Sequence, residues 1–170
     1  MSMRAWGLVG KAALRARLRQ STARALTTNI FVVGKKNSVE GWINEGCAEF
    51  EKRLTPIMAL NTVYLKSDEE LVAQVAQARG VVVLLDEGGR EYTSREFSKL
   101  FYSSLEKGGA HCNFVVGGFA GLPPELKASN KYPLLSLSKL TWTHQMARLL
   151  LIEQIYRATE IHKGSGYHKD

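Results

Sequence analysis

The chain has 170 residues, of which 45% are apolar, and a formal net charge of +7. This length and composition fit one compact domain whose core is large enough to need neither a disulfide nor a structural metal. The two cysteines, Cys47 and Cys112, have no metal-ligand spacing, which argues against a zinc site. No stretch approaches the roughly 20 apolar residues of a membrane-spanning helix, so no membrane association is expected.

The positive charge is concentrated at the N-terminus. Residues 1–28 contain six basic residues and no acidic one, which leaves 17 basic and 16 acidic residues in 29–170. An arginine-rich, acid-free segment with hydroxyl residues near its end is typical of an organellar transit peptide, and a basic arm that contacts RNA is the alternative. We therefore expect a transit peptide over 1–28, one domain over 29–170, and a location in a chloroplast or mitochondrion.

From Asn29 onward, short apolar strands alternate with amphipathic helices, which predicts an α/β fold with an open, mainly parallel sheet. Pro56 ends the first helix, Ser67 caps the second, and a capping box from Thr93 to Glu96 begins the third. In chain order the predicted elements are a strand at 30–33, a helix at 42–54, a strand at 60–65, a helix at 67–80, a strand at 81–85, a turn at 86–89, a helix at 93–108, strands at 113–116 and 134–137, and a helix at 143–161.

Three loops with unusual chemistry follow predicted strand ends, at 85–89, 117–122 and 138–142. Open parallel sheets bind ligands outside the carboxyl ends of their strands, so these loops form the candidate site. The pair Gly117-Gly118 allows a ligand to approach backbone amides closely. The N–H and C=O groups of 138–142 are suited to surround an adenine, and Thr141 or Thr143 can cap the last helix.

Two common nucleotide sites are excluded after the first strand, because neither G-x-G-x-x-G nor a P-loop is present there. A flavodoxin-like nucleotide-binding enzyme would need such a phosphate loop. The turn Gly34-Lys35-Lys36 is either a solvated turn or a phosphate contact. An adenosyl cofactor would therefore bind late in the chain.

The last predicted helix is apolar around most of its circumference, so it is either the central helix of a monomer or a helix shared with a second subunit. Tyr167, His168 and Lys169 follow it after a glycine-containing spacer. An aromatic ring, an imidazole and a cation suit base stacking, proton transfer and phosphate contact, although an ordinary frayed terminus is the alternative.

Seven motifs in this order resemble the large-subunit ribosomal RNA pseudouridine N3-methyltransferases, which belong to the SPOUT class, and the resemblance covers 29–170. The motifs are Val33-Gly34-Lys35-Lys36, Leu84-Leu85-Asp86-Glu87-Gly88-Gly89, Val116-Gly117-Gly118-x-x-Gly121-Leu122, Leu135-Ser136-Leu137-Ser138-Lys139-Leu140-Thr141, His144-Gln145-x-x-Arg148, Glu153-Gln154-x-Tyr156-Arg157-Ala158 and Tyr167-His168-Lys169.

The resemblance implies a trefoil-knotted SPOUT fold, an obligate homodimer and S-adenosylmethionine as cofactor. Its implied substrate is a pseudouridine of large-subunit ribosomal RNA in an assembled ribosome or subunit. The cofactor contacts implied by motif are Leu85, Gly117, Leu137, Ser138, Lys139, Leu140, Thr141 and Trp142.

The candidate catalytic residues lie in the tail and on the last helix. We assign proton handling to His168, base stacking to Tyr167, and contacts to phosphate or developing charge to Lys169 and Arg148; Asp86 is an alternative base.

Two features depart from the family pattern, namely the basic N-terminal extension and a threonine at 143, where proline is common. A non-catalytic ribosome-associated binding protein that keeps the fold is the alternative function.

Overall fold

The computed structural model describes residues 25–169, which form a parallel sheet of order β2-β1-β4-β3-β5 covered by helices on both faces. Every pairing between these strands is parallel, which confirms the predicted α/β class. The strands are β1 (Leu26–Val33), β2 (Met58–Leu65), β3 (Val81–Glu91), β4 (His111–Val116) and β5 (Leu134–Ser136). The helices are α1 (Gly41–Leu54), α2 (Asp68–Gln77), α3 (Ser94–Lys107), α4 (Pro124–Ala128) and α5 (His144–Lys163), with a short 3-10 turn at Lys36–Ser38.

The helix ends confirm three capping predictions. Ser67 begins α2 by accepting a hydrogen bond from the Glu70 N–H. A complete capping box between Thr93 and Glu96 begins α3. Thr143 begins α5, so threonine replaces the family's proline without loss of the first turn.

The core has two layers because successive residues of each strand point to opposite faces. In β1, Ile30 and Val32 pack with α1, α3 and α5, whereas Phe31 packs with α2 and the α4 region. The longest helix, α5, lies against α1 and α3 and is buried along one side by contacts within the chain.

The segment 86–89 was predicted to turn the chain, and that prediction is wrong. Leu85 and Arg90 are both in register with Leu135, so 86–89 form a bulge inside a longer β3. Gly89 makes this possible, because a Cβ there would lie 2.7 Å from the carbonyl carbons of Leu134 and Leu135. Pairing of Arg90 and the next residue with β5 outweighs the local turn preference of Asp-Glu-Gly-Gly.

Other elements also differ from the prediction. β1 begins at Leu26 rather than at Ile30, so part of the segment assigned to a transit peptide belongs to the sheet. Residues 1–24 of that predicted peptide lie outside the described residues. α4 was not predicted, although proline in its first turn is a recognisable start signal. β5 ends at Ser136, which leaves Leu137 in the loop before α5.

Candidate functional site

A cavity of about 400 Å³ opens where the bulge of β3, the loop after β4 and the loop after β5 meet; we call it the three-loop cavity. All three segments leave the same edge of the parallel sheet, which is the edge where such sheets bind ligands. Its lining residues are Leu85, Asp86, Glu87, Val116, Gly117, Gly118, Phe119, Ala120, Gly121, Leu122, Lys127, Leu135, Ser136, Leu137, Ser138, Leu140, Thr141, Trp142, His144 and Ala147.

The loop after β4 is a tight turn held by glycines. The Gly121 N–H donates to the Gly118 carbonyl at 3.0 Å. A Cβ on Gly117 would lie well inside van der Waals contact with the Gly121 backbone, so only glycine fits at that position. Phe119 stands at the tip of the turn and is fully exposed at the cavity rim.

The loop after β5 is organised around the Ser138 hydroxyl. This oxygen accepts hydrogen bonds from the Trp142 indole at 2.8 Å and from the Leu140 N–H at 3.1 Å. Thr141 Oγ1 donates to Glu87 Oε2 at 2.9 Å and so ties the loop to the β3 bulge. Part of the loop's backbone is therefore ordered by the chain's own side chains before any ligand binds.

Two carboxylates lie on the β3 side of the three-loop cavity. Asp86 accepts from the Gly88 N–H at 3.0 Å and pairs with Lys127 Nζ at 2.8 Å. Glu87 holds Thr141. The Asp86 carboxylate already accepts a backbone hydrogen bond and pairs with a lysine. This geometry suits a fixed side chain in the cavity wall better than a general base.

The structure brings together seven of the eight residues assigned to the cofactor. Only Lys139 is missing from the cavity lining, and its side chain is exposed. The assigned roles remain predictions. Lining residues outside the three predicted loops were missed from the sequence, among them Lys127, His144 and Ala147, because no local pattern indicates that they face the cavity.

The C-terminal tail folds back onto α5. The Tyr167 hydroxyl donates to Glu153 Oε1 at 3.0 Å, and Arg157 Nη2 pairs with the same oxygen at 2.5 Å. Arg157 Nη1 lies 3.4 Å from Nδ1 of His168. The Tyr167 ring meets Tyr156 edge-on, with ring centroids 5.0 Å apart. The tail is therefore held by a defined cluster rather than by one contact.

The Glu153 carboxylate also affects ionisation in this cluster. Partial burial, followed by the hydrogen bond to Glu153, raises the pKa of the Tyr167 hydroxyl. The hydrogen bond to Glu153 raises the pKa of Arg157. Tyr167 is thus protonated and Arg157 charged at neutral pH. The spacing of Glu153 and Arg157, four residues apart on a helix, was the available sequence signal for this pair.

The four predicted catalytic residues are not brought to the three-loop cavity within one chain. Tyr167 and His168 contact the α5 cluster, and Lys169 is exposed. Arg148 is buried in a separate, smaller recess at the carboxyl end of β1. None of these four lines the three-loop cavity.

Comparisons with known proteins identify the family. The sequence model of a family described as "Predicted SPOUT methyltransferase" matches residues 26–168. The chain belongs to the SPOUT methyltransferase family. S-adenosylmethionine is the methyl donor of SPOUT methyltransferases, and the family match includes all three loops of the cavity.

Two relatives of this SPOUT methyltransferase are each named ribosomal RNA large subunit methyltransferase H. The protein from Protochlamydia amoebophila is 42% identical over 144 residues, covering 85% of this chain and 99% of that protein. The protein from Prochlorococcus marinus strain MIT 9303 is 41% identical over 143 residues, covering 82% and 91%. A crystal structure described as that of a hypothetical protein has a TM-score of 0.50 at 17% identity, covering 82% of this chain and 90% of that chain, which supports the fold alone.

Among residues 25–169, no cluster of histidine, cysteine and carboxylate side chains has the arrangement of a metal site. No helix in that range is long and apolar enough to cross a membrane.

Proposed function

We propose that this protein transfers a methyl group from S-adenosylmethionine to N3 of a pseudouridine in large-subunit ribosomal RNA. The observation that carries the proposal is the three-loop cavity, which gathers most of the residues assigned to the cofactor by motif. A location of the protein in a chloroplast or mitochondrion is part of the same proposal. The basic, acid-free composition of 1–28 supports it.

The lining of the three-loop cavity fits the proposed cofactor. Its volume of about 400 Å³ lies in the range of small-molecule sites, roughly 300–1,000 Å³. Glycine at 117 allows the tight turn that forms one wall of the cavity, and the ordered loop at 138–142 offers N–H and C=O groups for an adenine. The Glu87 carboxylate favours a positively charged ligand such as a sulfonium, whereas Asp86 is already paired with Lys127. When bound, this cofactor supplies an electrophilic methyl group.

The chain's own residues would orient the acceptor and handle one proton. Direct displacement needs alignment of the acceptor nitrogen and removal of its hydrogen. We assign removal of this proton to His168 and stacking on the target base to Tyr167. Arg157, which is paired with Glu153, lies beside His168 and can orient its imidazole. Lys169 and Arg148 would contact phosphate or developing charge.

A homodimer is the assembly that fits this separation of parts. The three-loop cavity and the C-terminal tail lie apart within one chain, and a second copy of the chain could bring a tail to the cavity.

The RNA would be recognised as part of a folded ribosome, because the nearly balanced charge of 29–170 offers little excess positive charge for binding free RNA. The trefoil knot implied by the family resemblance is part of this proposal.

The test is methyl transfer to large ribosomal subunits by the full chain, with the modified nucleotide located by mass spectrometry. We expect a methyl group on N3 of one pseudouridine. His168→Ala should lower turnover by about 10² or more, the usual share of a proton-handling group, with the affinity for S-adenosylmethionine unchanged.

His162→Ala is the control, because His162 stacks on Tyr102. It should leave turnover near the wild-type value. An unchanged rate in His168→Ala would remove His168 from the mechanism. No heat of binding on titration with S-adenosylmethionine would favour the alternative, a non-catalytic ribosome-associated binding protein.

A further inference from the structure

A second, smaller opening lies beside the three-loop cavity, at the carboxyl end of β1; we call it the Arg148 recess. Its free space is about 10 Å³, which suits one water molecule or one oxygen atom of an anion. Its polar lining comes from three parts of the chain: the turn after β1 with Lys35, Tyr64 of β2, and the first turns of α5 with His144, Gln145 and Arg148.

Arg148 gives the recess its charge. The side chain is 3% exposed, and its Nη2 donates to Asn44 Oδ1 at 3.2 Å. Its guanidinium lies over the Tyr64 ring, 5.5 Å from the centroid. The Nε–H has no hydrogen-bond partner, and no carboxylate of the described chain pairs with Arg148. A buried guanidinium without a counter-charge is costly, and an anion would compensate it.

The surroundings favour an anion as well. α5 begins at this point, and the exposed N–H groups of a helix start attract negative charge. Two hydrogen bonds hold the Gln145 side chain in the wall of the recess. Its Oε1 accepts from the Glu40 N–H at 3.1 Å, and its Nε2 donates to the Ser38 carbonyl at 3.3 Å. The nearby Glu40 carboxylate accepts from the Trp42 indole at 2.5 Å. Lys35 is exposed at the lining and contributes a second cation.

His144 lines both the Arg148 recess and the three-loop cavity. The two openings therefore share a wall, so a group bound in the Arg148 recess lies beside the cofactor assigned to the three-loop cavity. An acceptor nucleotide whose base meets the cofactor at the cavity mouth can place a neighbouring phosphate in the recess. We propose that the Arg148 recess binds an RNA phosphate next to the nucleotide that is methylated. The identity of the RNA rests on the proposed function.

Two adjacent lysines provide a matched test. Lys35 lines the recess, whereas Lys36 is also exposed but does not line it. In binding of the full chain to large ribosomal subunits, Lys35→Ala should weaken affinity about tenfold, as expected for a lost charge-assisted contact, while Lys36→Ala changes it less than about twofold. The slope of log affinity against log salt should fall by roughly 0.7 to 0.9 in Lys35→Ala, the value for one phosphate.

Equal effects of the two substitutions on affinity and on slope would overturn the proposal. A change in the oligomeric mass of Lys35→Ala would also overturn the proposal, because the Arg148 recess would then hold a carboxylate of a second copy of the chain.

A titration with inorganic phosphate tests the recess independently of methyl transfer. The ring resonances of His144 should shift in the wild type, and the shift should be lost in Arg148→Lys, which keeps the charge but has no Nε–H. A melting temperature near the wild-type value shows that this variant folds. If phosphate leaves His144 unchanged in the wild type, the recess is not an anion site, whether or not the protein methylates RNA.

Discussion

Gly117 and Gly118 are adjacent in the sequence but have different surroundings. A Cβ on Gly117 would collide with the backbone of Gly121, whereas one on Gly118 would lie 3.3 Å from the Val33 Cβ, a contact that a small shift relieves. The first glycine is therefore required by close backbone approach, and the second is not. The sequence pattern Gly-Gly alone does not distinguish them.

Gly117→Ala should consequently open the turn and deform the three-loop cavity. We expect the affinity for S-adenosylmethionine to fall at least about tenfold, or about 1.4 kcal/mol, when measured by calorimetric titration. Gly118→Ala is the control and should bind more tightly than Gly117→Ala. Wild-type affinity in Gly117→Ala would show that this turn does not shape the cofactor site.

At the scale of elements, α5 connects the parts of the site. Its first turns line the three-loop cavity and the Arg148 recess, and its later turns hold the tail through Glu153 and Arg157. Its position depends on the start at Thr143, whose hydroxyl accepts from the Met146 N–H at 3.3 Å.

Thr143→Ala should lower the free energy of unfolding by about 1 kcal/mol, because an N-terminal amide of the helix loses its partner. Urea unfolding followed by circular dichroism measures this change. Thr143→Ser retains the hydroxyl and should stay close to the wild type. A loss of the same size in both variants would mean that the methyl group, rather than the cap, is what stabilises the helix.

The β3 bulge shows where local patterns fail. Asp86 to Gly89 has a typical turn composition, yet the strand resumes because Arg90 and Glu91 pair with β5. This pairing joins residues more than forty positions apart in the numbering, and no local pattern encodes it. The capping box at Thr93 was predicted correctly, since all its hydrogen bonds lie within four residues.

At the scale of the molecule, apolar surface remains near the cavity and along α5. Leu140 and Trp142 are among the exposed large apolar residues of the described chain. Leu150, one turn beyond Ala147, is half-buried and is not among the side chains packed on either core layer. Such surface is typical of an interface between subunits.

We therefore expect the full chain to sediment at about twice its mass of 18.9 kDa. Leu150→Glu should shift the protein toward the monomer by placing a charge in the interface, whereas Leu150→Met should remain dimeric. Sedimentation velocity distinguishes these states. A monomeric wild type would contradict the homodimer, and a fully dimeric Leu150→Glu would place the interface elsewhere.

The sequence by itself determined the α/β class, the helix caps, the three loops and the family, because strand alternation, capping and motif order are carried by neighbouring residues. Only the tertiary structure decided which side chains meet. It placed Lys139 outside the cavity lining, joined Tyr167 to Glu153, and buried Arg148 beside Asn44 and Tyr64. These contacts depend on how distant elements pack against one another, and periodicity and spacing along the chain do not specify that packing.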